Sequence, residues 1–374
     1  MDYAALKKAL QEFEPPEMND GERMAEYMSG REVDFQPYSF LSADFAIANM
    51  FGYTVKQYLE DFDVKLEVLK RKREEFYQGS LDIGLGLKTM GTALGSIRVQ
   101  PENGIDYIAQ HFLTDYSLYD QLQIPDPYTN PELSKLLEDT KRTKETLPDF
   151  AFTASVAGPI TTAIAVRPIE DILKDTRKRP EQLHKLLDLI VDSNLEWLKA
   201  LKEVLGPIPT TFADPVACSD ILSDKQFDEF SMPHFKRMVD GIEEIMGKCP
   251  GGHICGSSRK LWDKIAKAGV PSFSIDNCED LSDAKEEFGD RMVLIGNVPP
   301  VDIIKEGSID AVIAACKDSL LNGADSPKGF ILSSGCQVPI GTPRENIEAF
   351  IYATRKYGRG ARLGKLPQGI LAQG

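Results

Sequence analysis

His253-Ile254-Cys255, together with Cys336 further along the chain, is the group of residues best equipped for chemistry. Two residues apart on a strand, a His and a Cys point to the same side. One imidazole and two thiolates make a zinc ligand set, and three protein ligands leave a fourth position open to a substrate. The two thiolates cancel the charge of the metal. A substrate thiolate in the open position then carries the excess electron density on its sulfur. Zinc also lowers the pKa of a thiol, so the thiolate forms near neutral pH without a strong base. Such chemistry suits alkyl transfer to or from sulfur better than hydrolysis. The competing reading is a hydrogen-bonded core histidine with two small apolar thiols.

Residues that act together need elements to gather them. Eight short apolar or β-branched runs, at 35–40, 81–87, 151–156, 209–212, 253–255, 272–275, 292–295 and 329–332, alternate with helical patterns. Such alternation predicts βαβ units around a parallel sheet, and eight of them predict one (β/α)8 TIM barrel. A short helix, the Pro15-Pro16 break and a second helix over 20–29 read as a helical extension, residues 1–33, on a catalytic barrel of residues 34–374.

The helical pattern is plainest at 180–205, where Leu183, Leu186, Leu187, Ile190, Val191, Leu195, Leu198 and Leu201 keep a period near 3.6. A helix over 224–247 is expected to break or kink near Pro233. Ser257 is expected to cap a helix ending at Gly269, Ser282 to start the next, and Gly323 to stop the one from 309. Thr342, Pro343 and Glu345 read as N-cap, N1 and N3 of a capping box. Residues 88–149 are long for one connection, with 98–100 and the Pro-rich 124–131 as inserted loops and a hairpin.

Barrel enzymes carry their active sites at the C-terminal ends of the strands. Asp214 follows the fourth run, His253 and Cys255 belong to the fifth, Asp276 follows the sixth, Asn297 the seventh and Cys336 the eighth. A closed barrel brings these to one mouth. Asp276 is a candidate fourth zinc ligand, or a partner that orients His253. Asp214 and Asn297 are the candidate catalytic residues. Each has a local alternative: Asp214-Pro215 as a turn, Asp276 as a helix cap, Asn297 as the closure of the turn after Gly296. Cys218 and Cys278 lie near the expected mouth without ligand roles. Cys249 and Cys316 read as packing residues, His111, His184 and His234 as helix-face residues, Trp197 and Trp262 as core.

Composition narrows the class. The 374 residues are 42% hydrophobic and 27% charged, with a net charge of −15. So acidic a chain is a poor match for nucleic acid held through its phosphates, or for an anionic membrane surface. Six Cys in so long a chain are not a disulfide framework and suit a reducing cytoplasm. The N-terminus lacks the basic start and apolar run of a signal peptide, and no stretch approaches the length of a membrane span.

Several of these residues recur together in a known order. Asp214-Pro215, Phe227 to Pro233, His253-Ile-Cys-Gly256, Gly289-Asp-Arg291, Gly296-Asn-Val298, Gly335-Cys336 and Thr342-Pro-Arg-Glu-Asn346 resemble the uroporphyrinogen decarboxylase superfamily. Within it they look most like the zinc-dependent methylcobamide:coenzyme M methyltransferase branch. The resemblance runs over roughly residues 20–360 and is densest after 207. It implies a TIM barrel, zinc held by His253, Cys255 and Cys336, and methyl transfer involving a corrinoid (methylcobalamin) carried by a partner protein. The second substrate is then a small thiol or another methylated compound.

The sequence departs from both branches. The Arg-rich motif that grips substrate carboxylates in the decarboxylases is absent from Phe35-Gln-Pro-Tyr-Ser-Phe40, and Gly335-Cys336 stands where decarboxylases tend to have Gly-His. The methyltransferase Gly-Asn-Val-Asp-Pro appears as Gly296-Asn-Val-Pro-Pro300, without the carboxylate. A decarboxylase with unusual substrate recognition, and a non-enzymatic barrel clipped by structural zinc, are the alternative readings.

Overall fold

The eight apolar runs become eight short strands: β1 (Tyr38–Ser39), β2 (Ser80–Gly84), β3 (Ala151–Ala157), β4 (Thr210–Ala213), β5 (Gly251–His253), β6 (Ser272–Ser274), β7 (Val293–Val298) and β8 (Phe330–Ser334). They are the parallel strands of a (β/α)8 barrel fold. The computed structural model describes residues 1–372. The chain divides into two compact units, Met1–Ser80 with Ser272–Gly374, and Leu81–Pro271.

In the first unit the strands lie in the order β1–β8–β7–β6. Leu332 pairs with Tyr38, Leu294 with Phe330 and Val293 with Ser272. Parallel strands covered by helices read as continuous apolar runs, which is why they stood out in the sequence. Helices Ile309–Gly323 and Arg344–Tyr357 cover them, with Phe273, Phe288, Phe330 and Phe350 fully buried. The expected run 35–40 splits. Val33–Phe35 pairs antiparallel with Arg359–Ala361, and β1 starts only after Pro37, which has no N–H to extend a ladder. The N-terminal helices are Tyr3–Gln11, which buries Leu6, and Asp20–Met28, opened by an Asn19–Glu22 capping box. Buried Tyr27 accepts a hydrogen bond from the Phe330 N–H (3.0 Å) at the start of β8.

In the second unit the order is β5–β4–β3–β2. Helix Pro180–Leu205 matches its apolar period, with Leu183, Leu186, Leu187, Ile190 and Trp197 inaccessible to solvent. It packs on helix Met232–Met246. The irregularity expected near Pro233 is present without interrupting the helical run from Asp224 to Met246. It takes the form of a π-type turn over Phe227–Ser231, two residues ahead of the proline. Residues 88–149 hold helix Thr89–Ala93, an antiparallel hairpin (Ile97–Val99 with Tyr107–Gln110) and helix Pro131–Thr146, while 124–130 carry no strand. His184 and His234 are on helices and meet at 3.1 Å. His111 is not: it follows the hairpin, with Nε2 3.1 Å from the Ile164 carbonyl.

Three helix starts differ from expectation because a cap is chosen by backbone geometry as well as by residue type. Pro343, not Thr342, precedes helix Arg344–Tyr357, and the Thr342 hydroxyl donates to the Pro339 carbonyl instead (2.7 Å). Asp280, not Ser282, caps helix Leu281–Phe288. Ser257 caps nothing; the helical turn begins at Arg259, and the Ser258 hydroxyl accepts from the Trp262 indole (3.0 Å).

A buried ion pair just past helix Pro159–Val166 also holds part of the long insertion. Arg167 Nε meets Asp175 Oδ2 at 2.7 Å, with side chains 4% and 0% exposed. Arg167 Nη1 also donates to the Leu113 and Thr114 carbonyls (2.9 and 3.1 Å). Removing one partner strands the other charge. Asp175→Ala is therefore expected to cost about 3–5 kcal/mol in chemical denaturation. Asp171→Ala, which breaks only the exposed pair with Lys174, is expected to cost about 1 kcal/mol or less.

Candidate functional site

β5 is three residues long because its pairing with β4 runs out. Thr211 pairs with Gly251, Phe212 with Gly252 and Ala213 with His253, and the Asp214 N–H donates to the His253 carbonyl (2.9 Å). Cys255 therefore lies beyond the strand, not on it as its spacing from His253 suggested. The two side chains meet nonetheless, with His253 Nε2 3.0 Å from Cys255 Sγ. His253 is buried and Cys255 half-buried. Nitrogen and sulfur ligands of a tetrahedral zinc sit about 3.5 Å apart. A small opening of this pair admits the ion, and a soft thiolate beside an imidazole is the donor type zinc takes.

Asp214 follows β4 and is fully buried. Its carboxylate accepts from the backbone N–H groups of Thr161 (2.7 Å) and Ile160 (3.3 Å). These amides open helix Pro159–Val166, where the unpaired N–H groups favour negative charge. Gly158 makes the approach possible, since a Cβ there would lie 2.3 Å from the Asp214 Cβ. Burial pushes the Asp214 carboxyl up to about 6, and the hydrogen bonds from Thr161 and Ile160 pull the other way. Its oxygens are thus engaged with the backbone of the second unit.

A second carboxylate of this unit was passed over in the sequence. Asp82 on β2 is exposed and accepts from Thr153 Oγ1 (3.0 Å) and from the Ser155 hydroxyl, both on β3. Its signal was the alternation of Ser80, Asp82 and Gly84 with buried Leu81 and Ile83.

In the first unit, Gly335 N–H extends the β7–β8 ladder to the Val298 carbonyl (2.9 Å), and half-buried Cys336 follows. Gly335 has no room for a side chain: a Cβ would stand 2.6 Å from the Asn277 nitrogen. Asn297 lies on β7 opposite Ser333. Its Nδ2 donates to the Asp276 and Glu279 carbonyls (3.2 and 2.9 Å), so the amide holds the turn after β6. Asp276 is buried, and its Oδ1 accepts from the Cys278 N–H (2.9 Å), closing that turn from within. Cys316 is buried in a helix, where burial raises its thiol pKa. Cys218 is also buried, Cys249 half-buried and Cys278 exposed.

The Asp214 shift has a pH signature. Its folded pKa of about 6 exceeds the ordinary value of about 3.9. The folded state therefore holds a proton that the unfolded chain has lost between those values. The resulting stability is full below about pH 3.9 and disappears as pH rises through about 6. Urea unfolding of wild type and Asp214→Asn is expected to show the wild type gaining about 2–3 kcal/mol on the variant between pH 7.5 and pH 4. Parallel pH profiles would contradict it.

The model of the uroporphyrinogen decarboxylase (URO-D) family matches residues 19–357. The methylated-thiol–coenzyme M methyltransferase of Methanosarcina mazei is 28% identical over 202 residues, 54% of this chain and 52% of that protein. The methylcobamide:CoM methyltransferase MtaA of Methanosarcina barkeri is 27% identical over 224 residues, 59% of this chain and 63% of that protein. The matches thus span half to about three-fifths of these relatives. A chloroplastic uroporphyrinogen decarboxylase of Oryza sativa is 25% identical over 224 residues, 60% of this chain and 56% of that protein. A solved methyltransferase from Methanosarcina mazei superposes with a TM-score of 0.76 at 21% identity, covering 90% of this chain and 98% of its own, and so shares the fold. With the family model matched over nearly its whole length, this chain belongs to the uroporphyrinogen decarboxylase family.

Proposed function

We propose that this protein is a zinc-dependent cytoplasmic methyltransferase. It moves a methyl group between a corrinoid carried by a separate protein and a thiol or another small methyl donor or acceptor. The observation that carries the reading is the 3.0 Å approach of His253 Nε2 to Cys255 Sγ just past the end of β5. The proposed ligands are His253, Cys255 and Cys336; Asp276 is the proposed fourth, one that substrate would displace. The names of the relatives support the chemistry, since one acts on methylated thiols and another on methylcobamide.

Zinc bound there supplies a lowered thiol pKa and a fixed seat for a substrate sulfur. The chain's own residues set the rest. His253 would hold the ion through a ring nitrogen. Cys255 and Cys336 would add two sulfurs whose negative charge offsets that of the ion, leaving no net positive charge to quench a substrate thiolate. Asn297 holds the Asp276 turn, and Asp214 holds the first turn of helix Pro159–Val166. Both act here as positioning residues. A corrinoid presented by the partner would supply the methyl group, the S–C bond forming as the methyl–corrinoid bond breaks and leaves its electron pair on the corrinoid, or would take the group up in the reverse step.

Decarboxylation fits less well. Gln36 lies in the stretch where decarboxylases carry their Arg motif, and it is buried with Nε2 donating to the Phe330 carbonyl (2.5 Å). Bound inward, it cannot grip a substrate carboxylate.

Metal content and methyl transfer test the proposal together. Wild type is expected to bind about one zinc per chain, and Cys336→Ala to lose it while staying folded, with an unfolding temperature close to that of metal-free wild type. With a thiol present, wild type is expected to consume methylcobalamin, read by its visible spectrum, and Cys336→Ala to leave it intact. A wild type that takes up no zinc on reconstitution, or that turns over unchanged after Cys336→Ala, would contradict it.

A further inference from the structure

The stretch that carries Cys255 leaves the sheet at His253, so something other than a β-ladder has to fix the thiolate. The loop after β4 does this at two points. Upstream, the Asp214 N–H donates to the His253 carbonyl (2.9 Å). Downstream, Ser257 is gripped on both sides of its own residue. Its carbonyl accepts from the Ser219 N–H (3.0 Å), and its N–H donates to Asp220 Oδ2 (2.9 Å). Between the two grips, Gly256 takes a left-handed φ of +68°, and a Cβ built there would lie 2.8 Å from that same Asp220 oxygen. Asp220 thus sits against the residue that follows Cys255.

The clamp has a firm base. The Asp214 carboxylate is bonded to helix Pro159–Val166, the Ala217 N–H returns to the Asp214 carbonyl (2.9 Å), and the Ile221 and Leu222 N–H groups return to the Cys218 carbonyl (3.1 and 3.0 Å). A hydrogen bond from a backbone N–H to a carboxylate is among the stronger ones. Asp220 is exposed, so its replacement leaves no buried cavity.

We infer that Asp220 is a positioning residue: through the Ser257 N–H it fixes the Gly256 turn and so aims the Cys255 thiolate toward the metal. The inference rests on the metal reading proposed above, and it adds a residue that touches neither metal nor substrate. Ligands must be held within about 0.5 Å for tight binding, and loss of an outer tether commonly weakens a metal site tenfold to a hundredfold.

The test uses the full chain stripped of metal, in wild type, Asp220→Ala and Asp220→Asn. The probes are Co2+ titration, followed by its thiolate-to-metal absorption, and amide hydrogen exchange at Ser257 without metal. Asp220→Ala is expected to weaken Co2+ binding about tenfold to a hundredfold, shift the absorption and speed Ser257 exchange. Asp220→Asn keeps a carbonyl acceptor and is expected to stay within about threefold of wild type. Tight Co2+ binding by wild type and Asp220→Ala alike, with Ser257 equally protected, would overturn the inference and leave the metal reading intact. A wild type that binds no Co2+ would overturn the metal reading, and with it the role of Asp220 toward a metal.

Discussion

The approach of the His253 imidazole to the Cys255 thiol depends on where β5 stops. Three residues of pairing with β4 set the His253 carbonyl against the Asp214 N–H, and the next residues leave the ladder. Two residues apart, the imidazole and the thiol fall on one side, and just past the end of the strand the sulfur stands 3.0 Å from the nitrogen. Gly256 turns the chain directly after Cys255.

That arrangement places the structural burden on the loops at the C-terminal strand ends. In one unit the Asp214 carboxylate, sunk onto the amides of helix Pro159–Val166, anchors the loop that borders the pair. In the other, the Asn297 amide and the Gly335 close approach fix the turn after β6 and the backbone leading to Cys336. The polar residues past these strands are mostly spent on backbone. They hold the proposed ligands still, which a thiolate site requires more than it requires extra acids or bases.

Much of this was legible in the sequence. All eight strands fall within or beside the apolar runs, because parallel strands buried under helices need apolar residues in succession. Helix Pro180–Leu205 was readable to the residue from its leucine period and the Pro180 start. What failed was decided by geometry that one residue cannot report. Thr342 has the right chemistry for a cap, yet its hydroxyl turns back to Pro339. The Cys255 position beyond β5 follows from pairing lengths in a neighbouring strand. The partner of Asp214 lies more than fifty residues away, so only the fold reveals that its carboxylate is engaged. Asp82 was hidden in a run read for its apolar residues alone.

Zinc K-edge X-ray absorption on the reconstituted protein addresses the metal and its chemistry in a single measurement. A site built from His253, Cys255 and Cys336 gives two sulfur neighbours at about 2.3 Å and one nitrogen at about 2.0–2.1 Å, with a third sulfur appearing when a thiol substrate is added. A first shell of nitrogen and oxygen alone, or one that a thiol leaves unchanged, would contradict a zinc–thiolate methyltransferase.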